Sequence, residues 1–276
     1  MKTWFITGIS RGLGKALAEA ALARGDTVIG TVRDGAPVMN AGAGALHVLT
    51  LDVADPDAVR QTMAEAFAIT GRIDVLVNNA GYGLLGAIEE AGDEAVDQLM
   101  AVNLLAPFRI IRAALPALRA QGAGHILNIT SIAGRAPMAG SGLYAAAKGA
   151  VEMLSEALAQ EIAPFGLKVT AIAPGAFRTD FLSDHSIQRS RQSNAYADSV
   201  GTALNYLDDM AGRQKGDPAK AAQAILTLVD APEPPLHLLL GSDALRRARV
   251  KIDALIEEID RWEDLTRSTD FEESLG

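Results

Sequence analysis

The chain of 276 residues contains no cysteine, which excludes disulfides, thiolate nucleophiles and thiolate zinc sites. Histidine is scarce: His47, His125, His185 and His237 are scattered without metal-ligand spacing, so no metal site is expected. His47 and His237 fall in or beside apolar strands and read as hydrogen-bonded structural residues. Basic charge is also short. Lysine and arginine number 25 against 34 aspartates and glutamates, a formal charge of −9, which argues against nucleic acid or an anionic membrane as partner. No apolar run approaches the length of a bilayer span, and no basic and apolar leader precedes the first predicted strand, so the reading is cytoplasmic with no membrane insertion. Aliphatic residues and glycine are plentiful instead. A hydrophobic fraction of 49% can fill a large core, and the length suits one α/β domain over residues 1–276.

Residues 3–7 form an apolar run, and Gly8-Ile9-Ser10-Arg11-Gly12-Leu13-Gly14 follows before a helical pattern through Leu17, Ala20, Ala21 and Leu22. Strand, glycine loop and helix in this order make a phosphate site: backbone without side chains approaches a pyrophosphate, and the helix start offers unpaired N–H groups. By itself such a loop is equally a turn that needs glycine. A second strand, 27–32, ends at Val32, where NAD-binding chains of this kind carry an acidic residue for the ribose. Here Arg33 follows, and with Arg11 it offers two guanidinium groups to a 2′-phosphate, favouring NADP over NAD. Both arginines also read as surface residues, and Asp34 adds an opposing charge.

A third strand, 46–51, leads to Asp52 and Val53, with Asp52 either an acceptor for an adenine amino group or a turn former. Asp55 and Pro56 then cap a helix. The fourth strand, 74–77, runs into Asn78-Asn79-Ala80-Gly81, whose amides can tie the strand end to its neighbours while Ala80 and Gly81 leave room for a ligand. A helix is predicted over 94–119. Asn103 sits inside it, a poor interior residue that marks a kink, a role or a solvent-facing side chain, and Pro107 cannot donate to it.

The stretch from Asn128 to Lys148 concentrates chemistry. If 126–130 is a buried strand, Ser131 lies at its carboxyl end, where open α/β sheets bind ligands. Tyr144 and Lys148 are four apart and share a helix face, so the ammonium can favour the ionised phenol and lower its pKa. A phenol tuned in this way can protonate a carbonyl oxygen as hydride arrives at carbon. An isolated Tyr-x-x-x-Lys is usually an ordinary amphipathic face; a nucleotide-binding loop in the same chain gives it weight.

In order, Thr7 to Gly14, Asn78 to Gly81, Asn103, Ser131, Tyr144 and Lys148 resemble the short-chain dehydrogenase/reductase family, over roughly residues 2–181, with 216–241 similar by pattern only. The resemblance implies a doubly wound parallel α/β sheet of Rossmann type and a role for each match. Tyr144 would be the acid or base, Lys148 would lower its pKa and bond the nicotinamide ribose, Ser131 would orient the substrate oxygen, and Asn103 would hold the water of a proton relay. Gly8, Ser10, Arg11, Gly12, Leu13, Gly14, Arg33, Asp52, Val53, Asn79, Ala80 and Gly81 would line the adenosine and pyrophosphate side. Pro174, Gly175, Phe177 and Thr179 would border the nicotinamide. A homodimer through the helices carrying Asn103 and Tyr144 is also implied, with a monomer as the alternative.

The resulting expectation is an NADP(H)-dependent oxidoreductase that interconverts an apolar ketone or aldehyde and an alcohol, with Leu84, Leu85, Met138 and Phe181 flanking the pocket. Alternatives are an NADP-binding sensor without turnover and a cofactor-free lyase; Lys148 and the intact glycine loop disfavour the latter. Residues 179–216, polar and irregular with Phe181, Tyr196, Tyr206 and Met210, read as a substrate lid. Residues 243–276 read as an amphipathic helical extension that packs on some surface through Leu245, Ile252, Leu255, Ile256 and Ile259, blocking one dimer face.

Overall fold

The computed structural model describes residues 1–271 other than 36, 38, 40, 184 and 192; the last five residues of the predicted extension and two positions in the predicted lid lie outside them. The described residues form nine strands and nine α-helices: β1 (Thr3–Thr7), α1 (Gly12–Ala23), β2 (Thr27–Val32), β3 (Ala45–Thr50), α2 (Pro56–Thr70), β4 (Val75–Asn78), β5 (Gly83–Leu85), α3 (Asp93–Met100), α4 (Ala106–Gln121), β6 (Gly124–Ile129), α5 (Gly142–Ile162), β7 (Leu167–Pro174), β8 (Ile187–Arg189), α6 (Thr202–Met210), α7 (Pro218–Asp230), β9 (His237–Leu240), α8 (Ser242–Arg261) and α9 (Glu263–Arg267). Seven strands form one sheet in the order β3-β2-β1-β4-β6-β7-β9, every adjacent pair parallel. The strands β1, β2, β3, β4 and β6 fall within two residues of those read from the sequence, because continuous apolar runs can be satisfied only with helices on both faces. All five residues of β1 are buried.

Local signals start the helices. The Asp55 carboxylate accepts from the backbone N–H of Asp57 (2.8 Å) and Ala58 (3.2 Å), and Asp217 accepts from Ala219 (2.8 Å), each before a proline in the first turn. One face of the sheet packs on α1 and α7 through Leu17, Leu22 and Ile225; the other packs on α2, α4 and α5 through Met63, Ile110 and Leu158.

From Asp93 to Gln121 the chain is one helical run with a π turn at Ala101–Leu105, where Asn103 and Pro107 lie. The kink expected at Asn103 is therefore a π turn, the usual form of a local extra residue in a helix. By length and composition this run of 29 residues is apolar enough to cross a membrane, contrary to the sequence reading, but Ile110, Ile111, Ala114 and Leu118 pack into the core. His47 is a second correction. It lies on β3, the sheet edge, and is exposed, because an edge strand leaves part of both faces open to solvent.

His125 in β6 is buried, its Nε2 2.9 Å from the Thr170 hydroxyl. Burial, with smaller contributions from the Lys168 and Lys2 charges, lowers its pKa to about 4. An unfolded chain takes up this proton near pH 6.5 while the folded chain does not, so stability falls as pH drops from 6.5 to 4. Urea titrations at pH 7 and pH 4 should show wild type losing on the order of 3 kcal/mol more than His125→Gln across that interval.

Candidate active site

The strand order reverses between β1 and β4, and a cleft of about 740 Å³ opens at the carboxyl ends of the strands there. One end of it is the β1–α1 loop, the expected phosphate site. Gly12 has φ of +61°, which a side chain disfavours, and a Cβ on Gly14 would stand 2.3 Å from the Gly8 carbonyl oxygen. The helix can therefore sit close against the loop only with glycine at this point. No side chain caps α1, and Gly12 and Leu13 of its first turn line the cleft with Gly8, Ser10 and Arg11. The Asn79 amide donates to the Thr7 (2.8 Å) and Gly8 (3.0 Å) carbonyls, while the Thr7 hydroxyl accepts from the backbone N–H of Asn79 (2.9 Å) and Ala80 (3.0 Å). These bonds tie the end of β4 to the loop, as the amide-rich stretch suggested.

At the end expected to take adenosine, Arg33, Asp34, Asp52 and Val53 line the cleft. Arg33 is exposed and 3.9 Å from the Asp34 carboxylate. Asp52 accepts from the Ala54 N–H (2.9 Å), so it is a turn former that also faces the cleft. Arg11 departs from the expected convergence on Arg33. Its guanidinium donates to the His185 carbonyl (2.8 Å) and ties the glycine loop to the lid.

The chemical centre lies where β6 meets α5. Tyr144 and Lys148 are both buried. The Lys148 ammonium donates to the Ile129 carbonyl (2.8 Å), and the Ser131 hydroxyl oxygen accepts from the Ala133 N–H (3.1 Å). Burial pushes the Tyr144 phenol up to about 12, with the Ser131 hydroxyl offsetting part of the rise. Burial pulls Lys148 down to about 8, with the Glu152 carboxylate opposing it. The expected depression of the phenol by Lys148 does not enter this balance: withdrawal from water acts on both groups, and what lowers the phenol is the Ser131 hydroxyl.

Asn103 is fully buried, which excludes the solvent-facing alternative. Its amide brackets Tyr82, donating to the carbonyl (2.7 Å) and accepting from the N–H (3.1 Å). A Cβ on Gly81 would stand 3.2 Å from Asn103 Oδ1 and 3.3 Å from Lys148 Nζ, so these three residues converge. Of the residues given catalytic or cofactor roles from sequence, all line the cleft except Gly14 and Asn103, which stand directly behind its wall; Pro174, Gly175, Phe177 and Thr179 line the side next to β7.

The predicted lid is more ordered than its polar sequence suggests. It contributes β8, which pairs with β5, then α6, and a small core of Ile187, Val200 and Leu204 against Leu85 and Ala87. Phe181 and Met210 line the cleft, and the Phe181 ring lies 5.8 Å from that of Tyr144. Tyr206 is exposed, and Tyr196 turns outward to hydrogen-bond Glu89. Leu85 and Met138 line the cleft as expected, whereas Leu84 packs behind Tyr144 with Leu99.

Sequence reasoning missed three residues. Glu152, four beyond Lys148, is buried and bonded to the Thr130 hydroxyl and to Arg135 (2.7 Å); the spacing 144, 148, 152 was its available signal. Gln214 lines the cleft with its side-chain amide buried and unpartnered among the described residues. Arg247, from α8, lines the same cleft and donates to the Ala136 carbonyl. Neither had a sequence signal, since both reach the cleft only through the folding of distant segments.

Residues 2–190 match the sequence profile described as short chain dehydrogenase. The chain is 38% identical over 269 residues to "Oxidoreductase BOA17" of Botryotinia fuckeliana, covering 96% of this chain and 98% of that protein. Its fold is similar to the crystal structure of a short-chain dehydrogenase from Streptomyces avermitilis, with a TM-score of 0.91, 41% identity, and coverage of 98% of this chain and 100% of that one. A metagenomic short-chain oxidoreductase solved in complex with NADP matches with a TM-score of 0.69 and 28% identity, over 87% of this chain and 96% of that one. With its Rossmann-type sheet, glycine loop and buried Ser131, Tyr144 and Lys148, the chain belongs to the short-chain dehydrogenase/reductase family and is an oxidoreductase.

Proposed function

We propose that the protein is an NADP(H)-dependent reductase of an apolar ketone or aldehyde, reversible as an alcohol dehydrogenase. The carrying observation is the convergence of Ser131, Tyr144 and Lys148 in the cleft that also holds the glycine loop. The loop fits a dinucleotide: its close-packed glycines leave backbone exposed to a pyrophosphate, and Gly81, Pro174 and Gly175 leave room for the nicotinamide. Bound NADP(H) would supply the hydride. Arg33 at the adenosine end supports NADP over NAD, and the NADP complex of the metagenomic relative agrees.

In the reductive direction Tyr144 gives its proton to the carbonyl oxygen while Ser131 donates a hydrogen bond to the same atom. A phenol pushed up to about 12 remains protonated throughout the neutral range and is ready to act as an acid. Lys148 keeps a positive charge beside the developing alkoxide, and Asn103 holds the Gly81–Tyr82 backbone that borders it. Leu85, Met138, Phe181 and Met210 favour an apolar substrate body, and the buried Gln214 amide supplies a polar contact that orients it. Exposed Leu105, Phe108 and Met153 on the run ending in α4 and on α5 support a homodimer through those helices.

Assays of NADPH oxidation with aliphatic, aromatic and steroidal ketones should give turnover that Tyr144→Phe lowers by about 10²- to 10⁴-fold while NADPH binding persists. Tight binding with no turnover across the panel would favour the sensor instead. Replacing Arg33 by alanine should raise the KM for NADPH by about tenfold and leave that for NADH nearly unchanged. Lys148 is charged below about 8 and neutral above it, so kcat/KM for reduction should be level through neutrality and fall above pH 8. Because the Glu152 carboxylate raises the Lys148 pKa, Glu152→Gln should move that fall to lower pH.

A further inference from the structure

The extension does not pack on the body of the chain through the residues its amphipathic pattern selected. Leu245, Ile252, Leu255, Ile256 and Ile259 are exposed, and the first turns of α8 meet the body instead, where Ala244 and Ala248 pack against Ile132. Arg247 lies between these two alanines and lines the cleft. Its guanidinium donates to the Ala136 carbonyl, and among the described residues it has no other hydrogen bond and no ion pair. A guanidinium carries five N–H donors, so most of its capacity is unused. Asp243, one turn earlier on α8, is committed elsewhere: its Oδ2 accepts from the Ala176 N–H (2.9 Å), and a Cβ on Gly175 would stand 2.3 Å from its Oδ1. Burial pulls the Arg247 pKa down, with Asp243 and the Tyr206 phenol of α6 opposing it. The cation is thus partly withdrawn from water without a counter-charge in contact, a costly state that a bound anion relieves.

The same end of the cleft holds a second unspent group. Gln214 is 2% exposed, and neither its side-chain carbonyl nor its amide nitrogen has a partner among the described residues. Its segment is fixed: the Gln214 carbonyl accepts from the Arg178 guanidinium (3.0 Å), and the Gly216 N–H donates to the Ala176 carbonyl (3.1 Å). Residues 175–177 therefore hold both the Gln214 segment and, through Asp243, the base of α8. Met138, Leu207 and Met210 add apolar wall to the cleft.

Position decides which anion can reach Arg247. Ala136 follows β6 and Ala176 follows β7, two and three strands along the sheet from the glycine loop, or about 10 and 14 Å at the usual strand spacing. Arg33 follows β2, on the far side of that loop. An anion held at the glycine loop or by Arg33 is therefore not the partner of Arg247, and the substrate must bring its own. One cation with Asp243 a turn away balances a single negative charge and not two. Asp180, also on the cleft wall, is exposed, so solvent screens its repulsion.

We infer that Arg247 determines specificity by binding a carboxylate of the substrate, with the Gln214 amide as second donor, so that the substrate is an oxo acid. An apolar body separates its carbonyl, at Ser131 and Tyr144, from its carboxylate. The inference rests on the reductase reading of the same cleft.

The test uses straight-chain methyl ketones of increasing length, each as the terminal carboxylate, its methyl ester and the corresponding terminal phosphate, with NADPH as reductant. At the best length, wild type should reduce the acid with a kcat/KM about ten- to a hundredfold above that of the ester. Arg247→Met should bring this ratio close to one, and Arg247→Lys should retain part of it. Arg246→Met, which removes an exposed charge next to it, should leave the ratio unchanged. Melting curves check that each variant folds, and a ratio taken within one protein is insensitive to a general loss of activity. Equal rates for acid and ester in wild type, a ratio that survives Arg247→Met, an equal fall in Arg246→Met, or a preference for the phosphate would each overturn the inference and leave the reductase standing. Calorimetry of the acids with the NADP-loaded chain reads the site without turnover. Binding that weakens about tenfold in Arg247→Met upholds the carboxylate site even where no ketone is reduced, and then the reductase reading alone fails. No binding and no turnover would overturn both.

Discussion

The site depends on a residue-by-residue match between the end of β6 and one face of α5. Asn128 donates to the Ser155 hydroxyl (2.8 Å), the Ile129 carbonyl accepts from Lys148 (2.8 Å), the Thr130 hydroxyl bonds Glu152, and Ser131 acts on the Tyr144 phenol. Four consecutive residues at and just past the end of β6 thus satisfy four polar residues on one helix face. Each of those helix residues is buried. Buried polar groups are costly unless partnered, so the partnering fixes how α5 lies on the sheet. A helix rotated or slid by one residue would leave several of these groups unpaired at once.

The same burial sets the electrostatics. Withdrawal from water raises the phenol and lowers the ammonium, so both tend toward neutrality, and Glu152 partly restores the lysine's charge. Glu152 is itself held by Thr130 and Arg135, with the His237 ring 3.3 Å away. This polar face of α5 therefore continues into a network that reaches β9, at the edge of the sheet.

Around this fixed centre the chain places segments that the sheet does not determine. The lid is joined to the body by the β5–β8 pair and by Arg11, which reaches from the glycine loop to the His185 carbonyl. A residue of the glycine loop thereby touches a segment that lines the other end of the cleft. The helix α8 has two parts with different environments: its first turns carry Arg247 into the cleft, and the rest extends into solvent.

Much of the molecule was legible in the sequence, because strands buried on both faces must be continuous apolar runs, and tight approach of backbone to ligand needs glycine. The sheet, the glycine loop, the Asn79 tether and the Tyr144–Lys148 pair all follow from such local rules, and the structure brings them to one cleft. Tertiary structure decided what depends on the neighbours of a side chain. It set the direction of the Tyr144 shift, because desolvation cannot be read from spacing, and it turned Arg11 to the lid and Leu84 away from the cleft. It brought Gln214 and Arg247 to the site from segments far away in the chain. The extension shows the division in one element: its helical spacing specified an amphipathic helix, while only the packed chain shows that among the described residues Ala244 and Ala248 fix the helix at its base and residues 249–271 are exposed.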